Sequence, residues 1–174
     1  DFKQEWVEAF LDSMAMDLEK DDYETMDETL DYIYGSAEVI GLMMAKILNL
    51  DEESYESAKM LGRSMQFCNF LRDIKEDQED LGRRYMPKEE MEKHGLETLE
   101  EGEFDPENFR NFMHAQLEKY EEWQREAEKG FKYIPYRTRV PVILSSRLYR
   151  WTANRIRESP EVVFEKEVRP SKLR

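Results

Sequence analysis

At 174 residues, with 40% hydrophobic and 12% aromatic content, the chain can build one domain with a real core and is too short for two. Its formal net charge of -14, from 40 acidic against 26 basic residues, argues against a nucleic-acid partner, whose phosphates would be repelled over most of the surface. The longest apolar run, Val39 to Leu48, is interrupted by Lys46 and is about half the ~20 residues that span a bilayer, so no transmembrane segment is expected.

Taken in chain order, Phe2, Trp6, Phe10, Leu11, Met14 and Leu18 recur at helical spacing, and Asp21-Asp22 reads as the break after this first helix. Asp1 starts the chain without Met or a signal-like leader, so it is read as beginning inside a longer protein. Thr25 followed by Glu28 fits a capping box for a second helix running to about Asn49. Because Tyr34 to Leu48 is apolar or small nearly all the way round, that helix is expected to be central and buried. Asp51 is placed to cap a third helix ending near Gly82, and Met86 to Gly102 reads as a short helix and loops. Asp105-Pro106 gives an N-cap followed by proline at the first helical position, opening a fourth helix through Phe109, Phe112, Met113, Leu117, Tyr120 and Trp123 to Gly130. Pro135 and Pro141 frame the start of a fifth, with Ile143, Leu144, Leu148, Trp151 and Ile156 as core positions, stopping before Ser159-Pro160. The lone Cys68 sits within a helical pattern and reads as a buried structural thiol. With no alternating strand pattern and no repeat, the fold class is an all-α helical bundle.

The third helix carries the chemistry. At about 100° per residue, Gly62, Gln66, Asn69, Asp73 and Asp77 share roughly a third of its circumference, while Phe67, Phe70, Leu71 and Ile74 form an adjoining apolar face. Two carboxylates one turn apart, with Glu76 beside them, repel each other, and a divalent cation would remove that cost. The series Gln66, Asn69, Arg72-Asp73, Glu76-Asp77, Arg83 and Tyr85-Met86-Pro87 suits a diphosphate: hard oxygens hold magnesium against phosphate, while guanidinium and amide donors orient the anion. The plainer alternative is a solvated face with random charge, in a chain that is 38% charged.

LGxxxQxxNFxRDIxxD, followed by RRYMP, closely resembles the second aspartate-rich signature of the squalene and phytoene synthase family, the head-to-head prenyl synthases. YIYGSAEVIGLMMAKIL, Tyr32 to Leu48, is similar to that family's YCYxVAGxVGxMMxxIL segment, and Tyr149 with the ending VVFEKEVRPSKLR is similar to its C-terminus. The resemblance implies the C-terminal two-thirds of an all-α isoprenoid synthase domain, a prenyl transferase of isoprenoid and carotenoid biosynthesis. Two prenyl diphosphates would be condensed through a cyclopropyl diphosphate, most simply two geranylgeranyl diphosphates to phytoene; squalene or dehydrosqualene formation from farnesyl diphosphate is the alternative. Carried over by position, Asn69, Asp73 and Asp77 would bind magnesium, with manganese as a substitute, and Asp73, Asp77, Arg72 and Tyr32 would be catalytic. Tyr32, Ser36, Gly41, Gln66, Asn69 and Tyr149 would line the substrate cavity. The mid-helix Gly41 itself points to close approach of a ligand or another backbone. Tyr32, Tyr34 or Phe70 could stabilise a prenyl cation through their ring faces.

Several positions depart from the family pattern. Ile33 stands at a usually small or cysteine position, Glu38 replaces a small residue, and Glu167 stands where arginine is common. Glu38 is therefore exposed, paired with a cation, or a sign of altered function. The family's first DxxxD motif is expected upstream of Asp1; Asp17 with Asp21 and Asp27 with Asp31 have that spacing but align with a connecting segment. The chain alone is therefore expected to be a poor synthase. A catalytically silent relative acting in binding or assembly, and a plain helical interaction module, are the rival readings. Location is expected to be cytoplasmic; greasy substrates are compatible with peripheral membrane contact, although no basic amphipathic anchor is evident. Oligomeric state is left open.

Overall fold

In the computed structural model, which describes residues 2–165 and Val168, helices account for all the regular structure among the described residues apart from one isolated bridge between Asp22 and Arg84. Glu167 and most of the C-terminal match lie outside the described residues.

The first helix is α1, Gln4–Met16. The second begins where the capping box placed it: Thr25 Oγ1 accepts from the Glu28 amide at 3.3 Å. The Glu28 carboxylate, however, accepts from the Glu24 amide rather than that of Thr25. This rod has three pieces: α2 (Met26–Ile33), a π-helical turn (Tyr34–Glu38) and α3 (Val39–Ile47). It is not buried all round, since Tyr34, Ile40, Met44 and Ile47 stand exposed while Ile33, Val39, Leu42 and Ala45 face the core.

Asp51 begins the next segment through its backbone, its carbonyl accepting from the Ser54 amide and hydroxyl, with no side-chain cap. After a 3-10 turn (Glu52–Ser54), α4 runs Tyr55–Arg72 and α5 Ile74–Leu81. The expected single helix is thus interrupted at Asp73 (φ -101°, ψ 17°). Its amide still donates to the Asn69 carbonyl and its carbonyl still accepts from Asp77, both at 2.8 Å, so the ladder bends without being lost. Gly82, at φ 65°, closes α5 in the left-handed conformation that glycine adopts at least cost.

A short α6 (Lys88–Lys93) precedes α7 (Pro106–Glu128), whose Asp105 cap accepts from the amides of Glu107 and Asn108 at 3.0 Å each. A 3-10 turn (Lys129–Tyr133) leads to α8 (Tyr136–Glu158), and α9 is Val162–Glu165. Pro141 lies inside α8 rather than at its start. Of the expected α8 core positions Ile156 is buried, but Leu144, Leu148 and Trp151 are exposed and Ile143 is half-buried; Ser146, Thr152 and Ala153 are buried in their place. Leu144, Leu148 and Trp151 therefore lie on the outer face of α8.

The core lies chiefly between α4 and α7, where Phe67, Phe70, Leu71, Phe109, Phe112, Met113, Leu117 and Tyr120 are buried together. Cys68 is fully buried there, and burial pushes its thiol up to about 12. On the other side, α3 and α4 meet backbone to backbone. A Cβ on Gly41 would collide with the Ala58 carbonyl, and one on Gly62 with that of Ala37. Of the two causes open for Gly41, the close backbone is therefore present.

Candidate active site

Between α3, α4 and α8 lies a cavity of about 590 Å³, lined at one end by the α7–α8 connection. Its two ends differ because its walls run along the helices. Near the C-terminal end of α4, Gln66 and Asn69 face Tyr149 of α8; towards the start of α4 the lining becomes Leu48, Leu50, Phe131 and Ile134. Ser36 and Gly41 also line it, so five of the six expected substrate-lining residues share one cavity. Asn69 Nδ2 donates to Gln66 Oε1 at 3.3 Å. Asn69 Oδ1 and Ser36 Oγ are buried without a hydrogen-bond partner. Leaving such oxygens unpaired costs about 1–3 kcal/mol each, which a polar ligand at this end would relieve.

The sixth, Tyr32, is only 4% exposed and packs among Tyr23, Phe70 and Tyr85. Its hydroxyl donates to Asp17 Oδ2 at 3.2 Å, the Tyr85 hydroxyl donates to Asp17 Oδ1 at 3.1 Å, and Arg83 Nη1 lies 3.4 Å from that same oxygen. Asp17, which in the linear sequence offered only its DxxxD spacing with Asp21, is thus the anchor of an aromatic cluster. Only the tertiary fold brings residues 17, 32, 83 and 85 together. Tyr85 stacks on Phe70 at 4.3 Å, tying this cluster to the buried face of α4.

Beyond Asn69, Arg72 and Asp73 form a two-point ion pair, with Nε at 2.7 Å and Nη2 at 2.5 Å from the carboxylate oxygens. Asp77 instead opens onto a small crevice shared with Phe70, Arg83 and Tyr85. Burial, followed by the charges of Asp73 and Glu76, raises the Asp77 carboxyl to about 7, against the opposing pull of Arg72 and Arg83. Asp73 has its counter-charge, whereas Asp77 lacks enough. Both are half-buried and neither projects into bulk solvent; Glu76 does.

Among the described residues, no group of three or more His, Cys, Asp or Glu side chains gathers into a cage for a metal. The oxygen donors along this stretch of α4 and α5 are the carboxylates of Asp73 and Asp77 and the amide oxygen of Asn69. That set fits magnesium, which takes one or two carboxylates and completes its shell with water and phosphate oxygens. The unpartnered Asn69 Oδ1 and the underneutralised Asp77 are what such a cation would satisfy.

An all-helical wall around an apolar cavity, with the amides of Gln66 and Asn69 at one end, is a fold of the isoprenoid synthase type. Squalene synthase HpnC from Alicyclobacillus acidocaldarius shares it, with a TM-score of 0.82 at 22% identity over 90% of this chain and 60% of that one. A dehydrosqualene synthase solved with a ligand superposes at 0.69, with 26% identity over 94% of this chain and 56% of the other. The squalene/phytoene synthase family matches residues 1–174, and the chain belongs to that family. A chloroplastic phytoene synthase of an Oncidium hybrid cultivar is 34% identical over 173 residues, 94% of this chain and 42% of that protein. The 15-cis-phytoene synthase of a Paracoccus species is 28% identical over 99% of this chain and 56% of its own length. The chain thus spans about half the length of the curated relatives it matches.

Proposed function

We propose that this chain is the part of a head-to-head prenyl synthase that binds the isoprenoid tail and one metal-held diphosphate, and that the complete enzyme joins two geranylgeranyl diphosphates into phytoene. The observation that carries the reading is the two-ended cavity, apolar along its length and ending in Gln66, Asn69 and Tyr149 beside the acidic face of α4 and α5. Relatives named phytoene synthases favour the twenty-carbon substrate. The names of the two solved structures favour a second reading, a fifteen-carbon substrate.

Asn69, Asp73 and Asp77 would hold magnesium, or manganese in its place, which when bound would neutralise the departing diphosphate. Arg72 lies beside Asp73 and can pass from that carboxylate to a phosphate oxygen, while Gln66 and Tyr149 orient the anion at the cavity mouth. The apolar walls exclude water from the allylic cation and from the cyclopropyl diphosphate that precedes the linear product. Tyr32 acts from behind this rim, holding Phe70 and Tyr85 in place. A second acidic set, on a segment beyond these residues, would complete the site. Peripheral contact with a membrane would supply the greasy substrates; among the described residues no helix is long and apolar enough to cross one.

Titration calorimetry with geranylgeranyl thiolodiphosphate and magnesium tests the assignment. Asp73→Ala and Asp77→Ala should each weaken binding about tenfold or more with helix content by circular dichroism retained; unaltered binding in both removes the metal assignment. Product analysis of a complete enzyme with geranylgeranyl or farnesyl diphosphate, with and without NADPH, separates the two chain lengths.

A further inference from the structure

We infer that Glu38 is a positioning residue: paired with Arg63, it holds the π-helical turn in the register that fixes the angle between Tyr32 and the cavity wall. This role rests on the proposed function and adds to it a residue outside the cavity that places the ones lining it.

From Ser36 onward the rod lines the cavity in pairs four residues apart: Ser36 and Ala37, Ile40 and Gly41, Met44 and Ala45. Tyr32 stands one such step ahead of Ser36, yet it packs among Tyr23, Phe70 and Tyr85 instead. The backbone ladder changes at the same place. The Tyr34 amide donates to the Leu30 carbonyl, four residues back, whereas the Val39 amide donates to the Tyr34 carbonyl, five back. One extra residue is thereby taken into the helix, and reverting to an ordinary α-helical turn would rotate its two halves against each other by about 100°. Gly41, lodged against the Ala58 carbonyl, pins α3 to α4, so the rotation would fall on Tyr32 and the aromatic cluster around it.

Neighbouring helices grip the turn on two sides. Gly35 lies against α1, where a Cβ would collide with the Ala9 carbonyl, and Gly62 of α4 lies against the Ala37 carbonyl. Ser13 Oγ of α1 donates to the Tyr32 carbonyl at 3.1 Å. Within the turn itself, the directional tie is Glu38, 1% exposed, whose carboxylate accepts from Arg63 Nε at 2.6 Å. Arg63 follows Gly62 on α4 and is fixed in turn over the Trp123 ring of α7. A charge-assisted hydrogen bond of this length tolerates little misalignment. Rotating the turn would carry the carboxylate off Arg63 and leave it buried without its partner, a strongly unfavourable state. A small residue at this position, as in the family pattern, has no such tie, so the lock belongs to this chain's departure from that pattern.

The test combines two readouts on the 174-residue chain. Nuclear magnetic resonance measures the scalar coupling across the hydrogen bond from the Val39 amide, which reports the register, and calorimetry measures binding of geranylgeranyl thiolodiphosphate with magnesium. Wild type should show the coupling to the Tyr34 carbonyl. In Glu38→Ala combined with Arg63→Met it should move to the Gly35 carbonyl, and affinity should fall about tenfold, the worth of one hydrogen bond to a charged group, even where stability is recovered. Glu38→Gln keeps an oxygen that can accept from Arg63 Nε and should keep both the coupling and the affinity. Should the double variant not fold, Arg63→Lys decides by the same two readouts, since an ammonium cannot both stack on Trp123 and donate from the Nε position. A folded variant that retains the Tyr34 coupling and binds like wild type overturns the positioning role and leaves the pair a source of stability alone. If wild type binds no thiolodiphosphate, the proposed function fails, while the coupling still decides whether Glu38 holds the turn.

Discussion

Glu38 illustrates how one residue is decided by its neighbours. Its side chain is 1% exposed on the π-helical turn, and its carboxylate accepts from Arg63 Nε at 2.6 Å. Arg63 lies over the Trp123 ring, its guanidinium carbon 5.4 Å from the centroid, so one ion pair joins the turn to α4 and α7. Of the three fates open to a carboxylate at this position, pairing with a cation is the one realised. Breaking a buried pair from one side leaves an unpaired charge, whereas removing both partners does not. Arg63→Ala should therefore destabilise the chain by about 3 kcal/mol in urea unfolding, while Glu38→Ala combined with Arg63→Met should recover most of that loss. An additive double variant would show that the pair contributes nothing of its own.

Between elements, α6 is joined to α7 by a second buried carboxylate. Glu90 accepts from Lys93 at 2.7 Å, Lys119 at 2.7 Å and Gln116 at 3.2 Å. Burial taken alone would raise its pKa, but the three donors outweigh it and hold the carboxyl at about 2. An unfolded glutamate titrates near ~4.3, so the folded state binds its proton less readily. The stabilisation is complete above the unfolded value and fades as pH falls through about 4 to 2. Urea midpoints should accordingly separate wild type from Glu90→Gln at pH 6 and converge towards pH 2; a constant gap would mean that the charge is immaterial. The α4–α5 break belongs to this scale too. The periodicity of Gln66, Asn69, Asp73 and Asp77 runs straight through it, so nothing in the linear pattern marks where the helix bends.

For the molecule as a whole, the cavity is lined in part by exposed apolar side chains, Ile40 and Met44 of α3, with Pro141 and Val142 of α8 opposite. Asn69 lines the cavity, while Asp77, two turns further along, opens onto a separate crevice. The condensation proposed above, with two departing diphosphates and two carbocation steps, needs more shielding and more counter-charge than this. Incubation of the 174-residue chain with geranylgeranyl or farnesyl diphosphate and magnesium should therefore yield little or no condensed product. Robust product from the purified chain would show that these residues suffice.

The amino-acid sequence by itself determined the helical class, the caps at Thr25 and Asp105, the buried face of Phe67, Phe70, Leu71 and Ile74, and the grouping of Gln66 with Asn69, because each depends on spacing within one helix. Tertiary structure alone decided that Asp17 receives Tyr32 and Tyr85, that Glu38 meets Arg63, that Arg72 neutralises Asp73 while Asp77 is left short of charge, and that Leu144, Leu148 and Trp151 of α8 stay exposed. Those outcomes depend on which helices face one another, and periodicity along a single helix carries no record of its partner.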